Sequence, residues 1–155
     1  APINISATTT LKYFAKDLAG NSEAVKSQTY TITAGTIMVT VELKDSAGNP
    51  LSGGVVLYYS GSWRVFGTTG ANGQVSKELL PAKYTFRMTY AFARQEKSQD
   101  VAADPAVVFQ TGQVHSDSGR CTHYHADGWH VFTQDMQLLP GTYIFRFKDR
   151  PENRL

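Results

Sequence analysis

Two groups of side chains have the types and spacing to do chemistry. The first is aromatic: Tyr58, Tyr59 and Trp63, matched further along by Tyr124 and Trp129. Flat rings stack on the apolar C–H faces of sugars, while hydroxyls and ring edges hydrogen-bond nearby polar groups. Arg64, Gln74, His130 and Gln134 lie close enough in sequence to supply those partners. A competing reading makes each tryptophan the plug of a sandwich core. Strand alternation pairs Trp63 with Val65 on one face and Arg64 with Phe66 on the other, and the later copy repeats this with Trp129, Val131, His130 and Phe132. A Trp-x-Val face opposite a charged one favours burial of the tryptophan.

The second group is ionisable: His115, His123, His125 and His130, with Cys121 among them. Cys121, His123 and His125 stand at i, i+2 and i+4, which a regular strand places on one face. Imidazole and thiolate in such a row suit Zn²⁺ or Cu²⁺. The spacing matches no closed zinc motif, and the earlier aromatic copy has Val55, Leu57 and Tyr59 at these positions. The bland alternative is a partly exposed polar strand face. Asp17 and Asp45 each open an Asp-x-x-Gly-Asn turn whose oxygens could serve Ca²⁺, although such turns are ordinarily just turns.

Catalysis has little support. Cys121 has no defined base and no third group to orient one. Asp117, Asp127 and Asp135 read as turn residues rather than a glycosidase pair, and no phosphate-binding glycine loop or Gly-x-Ser-x-Gly turn occurs. The expectation is a protein without enzymatic activity. The basic tail, Arg146, Lys148, Arg150 and Arg154, could contact an acidic polysaccharide or a neighbouring subunit, but Asp149 and Glu152 interleave and favour a solvated end.

These residues must be held by strands. The chain has 155 residues, a net charge of +2, 41% hydrophobic and 18% charged residues, and a single cysteine, which excludes an intrachain disulfide framework. So small and evenly mixed a charge argues against nucleic acid as a partner. No apolar run is long enough to insert in a membrane, and no signal peptide is expected within these residues. No helical apolar stripe persists, while tyrosine, phenylalanine and threonine are frequent. The fold class expected is all-β, built from sandwich modules in tandem. Strands are read at residues 10–16, 28–32, 38–44, 55–59, 63–66, 74–79, 84–90, near 95–101, and as one long run over 107–115. Val39, Val41 and Leu43 share a face, and Asn72-Gly73 signals a hairpin.

An internal repeat organises the chain. Tyr58-x4-Trp63-x-Val65-Phe66 recurs as Tyr124-x4-Trp129-x-Val131-Phe132, and Leu79-Leu80-Pro81-x2-Tyr84-x-Phe86-Arg87 recurs as Leu138-Leu139-Pro140-x2-Tyr143-x-Phe145-Arg146. The interval between the two motifs is shorter in the second copy, by the Thr69-Gly70-Ala71-Asn72-Gly73 turn and its flanks. Residues 36–110 have room for a complete sandwich of about seven strands. Residues 111–155 hold a shorter, incomplete second repeat, and residues 1–35 only terminal strands.

Ile3-x-Ile5-Ser6-Ala7-Thr8-Thr9-Thr10-Leu11-Lys12-Tyr13-Phe14-Ala15, followed by Asp17-x2-Gly20-Asn21, resembles the end of the fibronectin-like domain that follows the catalytic part of bacterial chitobiases. Val39-x-Val41, Asp45-x2-Gly48-Asn49-Pro50-Leu51-x-Gly53, Asn72-Gly73 and Leu80-Pro81-x2-Tyr84-x-Phe86 resemble collagen-adhesin B-type and prealbumin-like surface modules, which are immunoglobulin-like sandwiches. Some such modules carry an internal Lys–Asn bond, but Lys44 is one register off the inward position. The resemblance implies a bacterial protein that is secreted or at the cell surface. The function expected is a non-catalytic carbohydrate-binding or adhesion module with a polysaccharide or glycan as partner. The alternative is a fibre subunit that joins copies of itself through N-terminal strands, donating the segment 28–33 to an unpaired edge.

Overall fold

A computed structural model describes residues 7–32, 35–116 and 120–148. Asp117, Arg150, Arg154 and the start of the fibronectin-like resemblance, Ile3 to Ser6, lie outside them. Every regular element among the described residues is a strand. Residues 1–35 and 36–155 form two separate compact units.

In the first unit, β1 (Thr9–Tyr13) pairs antiparallel with β2 (Lys26–Tyr30). The segment from Gln28 thus has a partner in its own chain, and the backbone N–H of Ile32 extends the ribbon by donating to Thr8 Oγ1. Between the strands, the Asp17 carboxylate accepts the Asn21 backbone N–H and side-chain amide, both at 2.8 Å.

The second unit opens with seven strands: β3 (Ile37–Lys44), β4 (Val55–Tyr59), β5 (Trp63–Thr68), β6 (Gln74–Leu79), β7 (Lys83–Tyr90), β8 (Ala93–Asp100) and β9 (Ala106–Gln110). They form two sheets, ordered β6-β3-β9 and β5-β4-β7-β8, with β3 and β9 parallel. Alternation puts Val39, Val41 and Leu43 of the first sheet against Val56, Phe66, Phe86 and Met88 of the second, all buried. β3 and β4 fall in opposite sheets, whereas the first two strands of a constant-type immunoglobulin sandwich share one.

Asn72-Gly73 does not close a hairpin within one sheet. It carries the chain from β5 to β6 across the sandwich, because β6 takes the edge of β3 instead. Gly73 has φ of 72°, and a Cβ there would sit 2.7 Å from the Leu43 carbonyl oxygen and 2.8 Å from Pro50 Cβ. Only glycine suits both the angle and the close approach. At the opposite rim Lys97 lies over the Phe109 ring and donates to the Val108 carbonyl, so its stem covers apolar surface where β8 meets β9.

The expected long strand over 107–115 is two strands. β9 ends at Gln110 and β10 (Gly112–His115) begins in a different sheet. The residue between them, Thr111, is buried; its N–H donates to the Lys44 carbonyl at 2.9 Å and its hydroxyl to Gln137 Oε1 at 2.7 Å. One fully bonded residue therefore moves the chain between sandwiches. The second sandwich has β10, β11 (Cys121–His125), β12 (Trp129–Val131), β13 (Asp135–Leu138) and β14 (Ile144–Phe147), in sheets ordered β10-β13 and β12-β11-β14.

The repeat in sequence is a repeat in register. Tyr59↔Trp63 and Leu57↔Arg87 in the first sandwich correspond to His125↔Trp129 and His123↔Arg146 in the second. Tyr84 and Tyr143 each send the hydroxyl back to a carbonyl four residues upstream, of Leu80 and Leu139, closing the Leu-Pro turn.

The two sandwiches are joined through the β7–β8 turn. Its central residues, Ala91 and Phe92, have φ of 45° and 58°, a left-handed conformation that side chains disfavour. Two contacts hold it. The Tyr124 hydroxyl donates to the Ala91 carbonyl at 2.8 Å, and the Phe92 ring stacks on His130 at 3.6 Å and 5°. We expect Ala91→Gly to raise stability by roughly 0.5–1 kcal/mol by relieving the angle. Phe92→Gly relieves the same angle yet should lower stability by about 1 kcal/mol, since the stack and its apolar contact are lost. Urea denaturation of the two variants checks the opposite signs.

Candidate functional site

Burial sorts the candidate residues by strand parity. The inner face of β5-β4-β7 holds Tyr58, Phe66 and Phe86, whose rings meet edge to face, with Phe66 the hub at 6.1 Å from Tyr58 and 5.7 Å from Phe86. In the second sandwich Tyr124, Phe132 and Phe145 do the same, and Tyr124 is 1% exposed. The tryptophans, each three residues before the buried phenylalanine of its strand region, point the other way. The expectation of buried tryptophans is therefore corrected: the pairing of Trp with Val on one face holds, but that face is the outer one. Val65 and Val131 are each 67% exposed, and Trp129 is 43% exposed.

On the outer face of the first sandwich, Tyr59 meets Trp63 edge to face at 5.4 Å. The Arg87 guanidinium lies over the Trp63 ring at 3.8 Å and bonds Glu96 at 2.6–2.7 Å. The second sandwich repeats the platform: His125 meets Trp129 at 5.3 Å, and Arg146 lies over the Trp129 ring at 4.3 Å. A cation over an indole at an exposed site contributes about 0.5–1 kcal/mol and fixes the ring's orientation. The arrangement is an indole with a guanidinium over it and a second ring at its edge, built twice.

Four expected ligand residues lie elsewhere. Tyr58 packs against the core, Tyr124 is inside it, and Arg64 shares the inward side of β5 with Phe66, exposed near the strand's start. His130 belongs to the junction, stacked on Phe92 and bonded to Asp127 at 2.8 Å. That bond is the main reason the Asp127 carboxyl is held below the usual carboxylate range. Of the other polar candidates, Gln74 bonds Glu42, while Gln134 is exposed and its carbonyl accepts the Ser116 N–H. Of the two central arginines, Arg87 did not stand out among the candidates, and Arg146 did so only as part of the basic tail. Their signal was present, since each ends the repeated Leu-Leu-Pro-x2-Tyr-x-Phe-Arg motif.

The row of metal candidates is not brought together. A register shift between Cys121 and His123 turns Cys121 into the second core, while His123 and His125 stay on the outer face beside Arg146 and Trp129. Burial pushes the Cys121 thiol up, which keeps it protonated at neutral pH. His115 bonds Asp135 at 2.6 Å. Among the described residues, no three His, Cys, Asp or Glu side chains converge on a point that could hold a metal. The Ca²⁺ candidates are also occupied: both oxygens of Asp17 and of Asp45 accept hydrogen bonds from their own turns, including the Asn49 side-chain amide at 2.9 Å from Asp45. A cleft of about 320 Å³ at the junction is bounded by Phe92, Arg94, Asp127 and Tyr143.

No protein-family model and no curated protein matches this chain. The site therefore stands on its own geometry.

Two outcomes follow. Trp63→Ala and Trp129→Ala should each cost about 1 kcal/mol, against about 3–5 kcal/mol for Phe86→Ala, because rings on the outer face leave no core cavity. Chemical denaturation compares them, and acrylamide should quench both tryptophans in the folded protein. Bonds from Asn49 hold Asp45 below its unfolded pKa. Its contribution is complete above that unfolded value and is lost as pH falls through the folded one. Asp45→Ala should thus lower the melting temperature at pH 7, and the gap should narrow as pH falls below the ordinary aspartate value of about 3.9.

Proposed function

We propose that this chain is a non-catalytic binding module that holds a polysaccharide or glycan on the outer faces of its two sandwiches, in a secreted or cell-surface protein of bacterial type. One observation carries the reading: the Trp–Arg platform is duplicated, Trp63 with Arg87 and Trp129 with Arg146, each beside a solvent-facing valine. An outward tryptophan adds little to a core, so its repetition in both copies calls for a use at the surface. Stacked rings with an adjacent guanidinium suit a chain of sugars, which offers C–H faces and hydroxyls together. The sheet orders β6-β3-β9 and β5-β4-β7-β8 support the prealbumin-like surface-module reading. The absence of activity is supported by Cys121, a buried, protonated thiol without a base.

A second reading, a fibre subunit joined by strand addition, is favoured by a different observation. β3 and β7 each have a strand on both sides, whereas their counterparts β10 and β14 have one partner among the described residues. A cavity of about 360 Å³ lined by Val114, Cys121, Phe132, Phe145 and Phe147 lies in that sandwich.

Titration of the full chain against a polysaccharide panel tests the first reading. Trp63→Ala and Trp129→Ala should each weaken binding roughly tenfold, about 1.4 kcal/mol, and the double variant should abolish it. Wild-type affinity in the double variant, or no binding by the wild type, would overturn the proposal. Light scattering of the same samples reads the alternative, for which polymers that grow with concentration are expected.

A further inference from the structure

The two platforms share a plan but differ in charge. In the first, the neighbours of the Trp–Arg pair are Leu57 and Tyr59, and Arg87 is neutralised by Glu96 of β8. In the second, the same register positions hold His123 and His125. Arg146 has no carboxylate partner there among the described residues. His123 and His125 form no side-chain hydrogen bond among them either, and His123 Nδ1 is shielded from solvent without a partner. His123 faces Arg146 across the β11–β14 ladder, and His125 touches the ring that Arg146 covers. Residues opposed in this way have Cβ atoms about 5 Å apart, close enough to share one ligand group.

We infer that the second platform is specific for the acidic groups of a polysaccharide, carboxylate or sulfate, while the first takes neutral sugar. This rests on the glycan-binding reading above and adds the ligand class. The chemistry is direct. A guanidinium without an internal acid presents its planar fork to an anion, and a carboxylate takes two parallel N–H bonds from it. The Trp129 ring holds the guanidinium in place beneath the acid, and the imidazoles add donors at its rim. In the first platform Glu96 already occupies the fork of Arg87 and would repel an incoming carboxylate. Exposed Lys148, two residues beyond Arg146, adds positive charge to the second sandwich.

The test uses the full chain with polygalacturonate, alginate and hyaluronan, each beside its carboxyl-reduced, neutral form. The wild type should bind at least one acidic form tenfold or more tightly than its reduced counterpart, and 0.5 M NaCl should erase the difference. Arg146→Gln should remove the preference for the acidic form, whereas Arg87→Gln should leave that preference intact. Far-UV circular dichroism confirms that both variants fold. Equal affinity for acidic and reduced forms, or equal effects of Arg87→Gln and Arg146→Gln, would sink the assignment. Polyglutamate bound as tightly as the polysaccharides, with the same loss in Arg146→Gln, would also overturn it in favour of an acidic polypeptide. Failure of the underlying reading has a separate signature: Trp63→Ala together with Trp129→Ala then leaves the binding of every probe unchanged.

Discussion

Burial of Phe66 and Phe132 decides where everything else on this molecule points. A strand has two faces, and a side chain an odd number of residues from a buried one must come out on the other side. Phe66 is locked between Tyr58 and Phe86, and Phe132 between Tyr124 and Phe145. Once those rings are inside, Trp63, Val65, Trp129 and Val131 have only the outer face left. The arginines follow by the same rule on the neighbouring strands, since Phe86 and Phe145 turn inward and put Arg87 and Arg146 outside. The platform is thus the complement of the core. Its geometry is preserved in the second sandwich because the core triad is preserved.

The junction between the sandwiches shows local preference yielding to tertiary contact. A two-residue turn with positive φ at both positions suits Asn-Gly, yet Ala91 and Phe92 stand there. The Phe92 ring occupies the face of His130, and the Ala91 carbonyl satisfies a tyrosine hydroxyl that would otherwise be buried alone. His130 keeps its place through Asp127, which Arg94 of β8 also approaches at 3.9 Å. Both sandwiches supply members of this group, so the turn acts as a clasp.

Most of this architecture could be read from residue patterns. Alternation in β3, the breaks at Gly and Pro, and the doubled Trp and Leu-Leu-Pro motifs predicted the strands and the repeat. Sheet membership was not legible, and Asn72-Gly73 shows why: the dipeptide reports a tight local turn but not whether the next strand stays in the sheet or crosses the core. The run over 107–115 carries no proline and reads as one strand, and the partners of Thr111 divide it. At the site, parity gave the right pairs of residues on each face but no means of choosing the inner face. That choice depends on the total volume of aromatic rings gathered from three strands. Cys121 illustrates the remaining gap, because a single extra residue in the ladder reverses a face and leaves no mark in composition.

The parallel pairing of β3 with β9 has a mechanical consequence. These are the first and last strands of the first sandwich, and they lie side by side running in the same direction. A pull on residues 36 and 111 in opposite senses draws the two strands past each other along their length. All the bonds between Thr40–Lys44 and Ala106–Gln110 then bear load together and must rupture together, rather than peeling one at a time as they would in a hairpin pulled from its open end. Thr111 lengthens this bonded stretch, since its amide is still tied to the Lys44 carbonyl. A unit of this kind resists tension at the β3–β9 ladder, while the opposite sheet, which carries Trp63 and Arg87, stays out of the line of load.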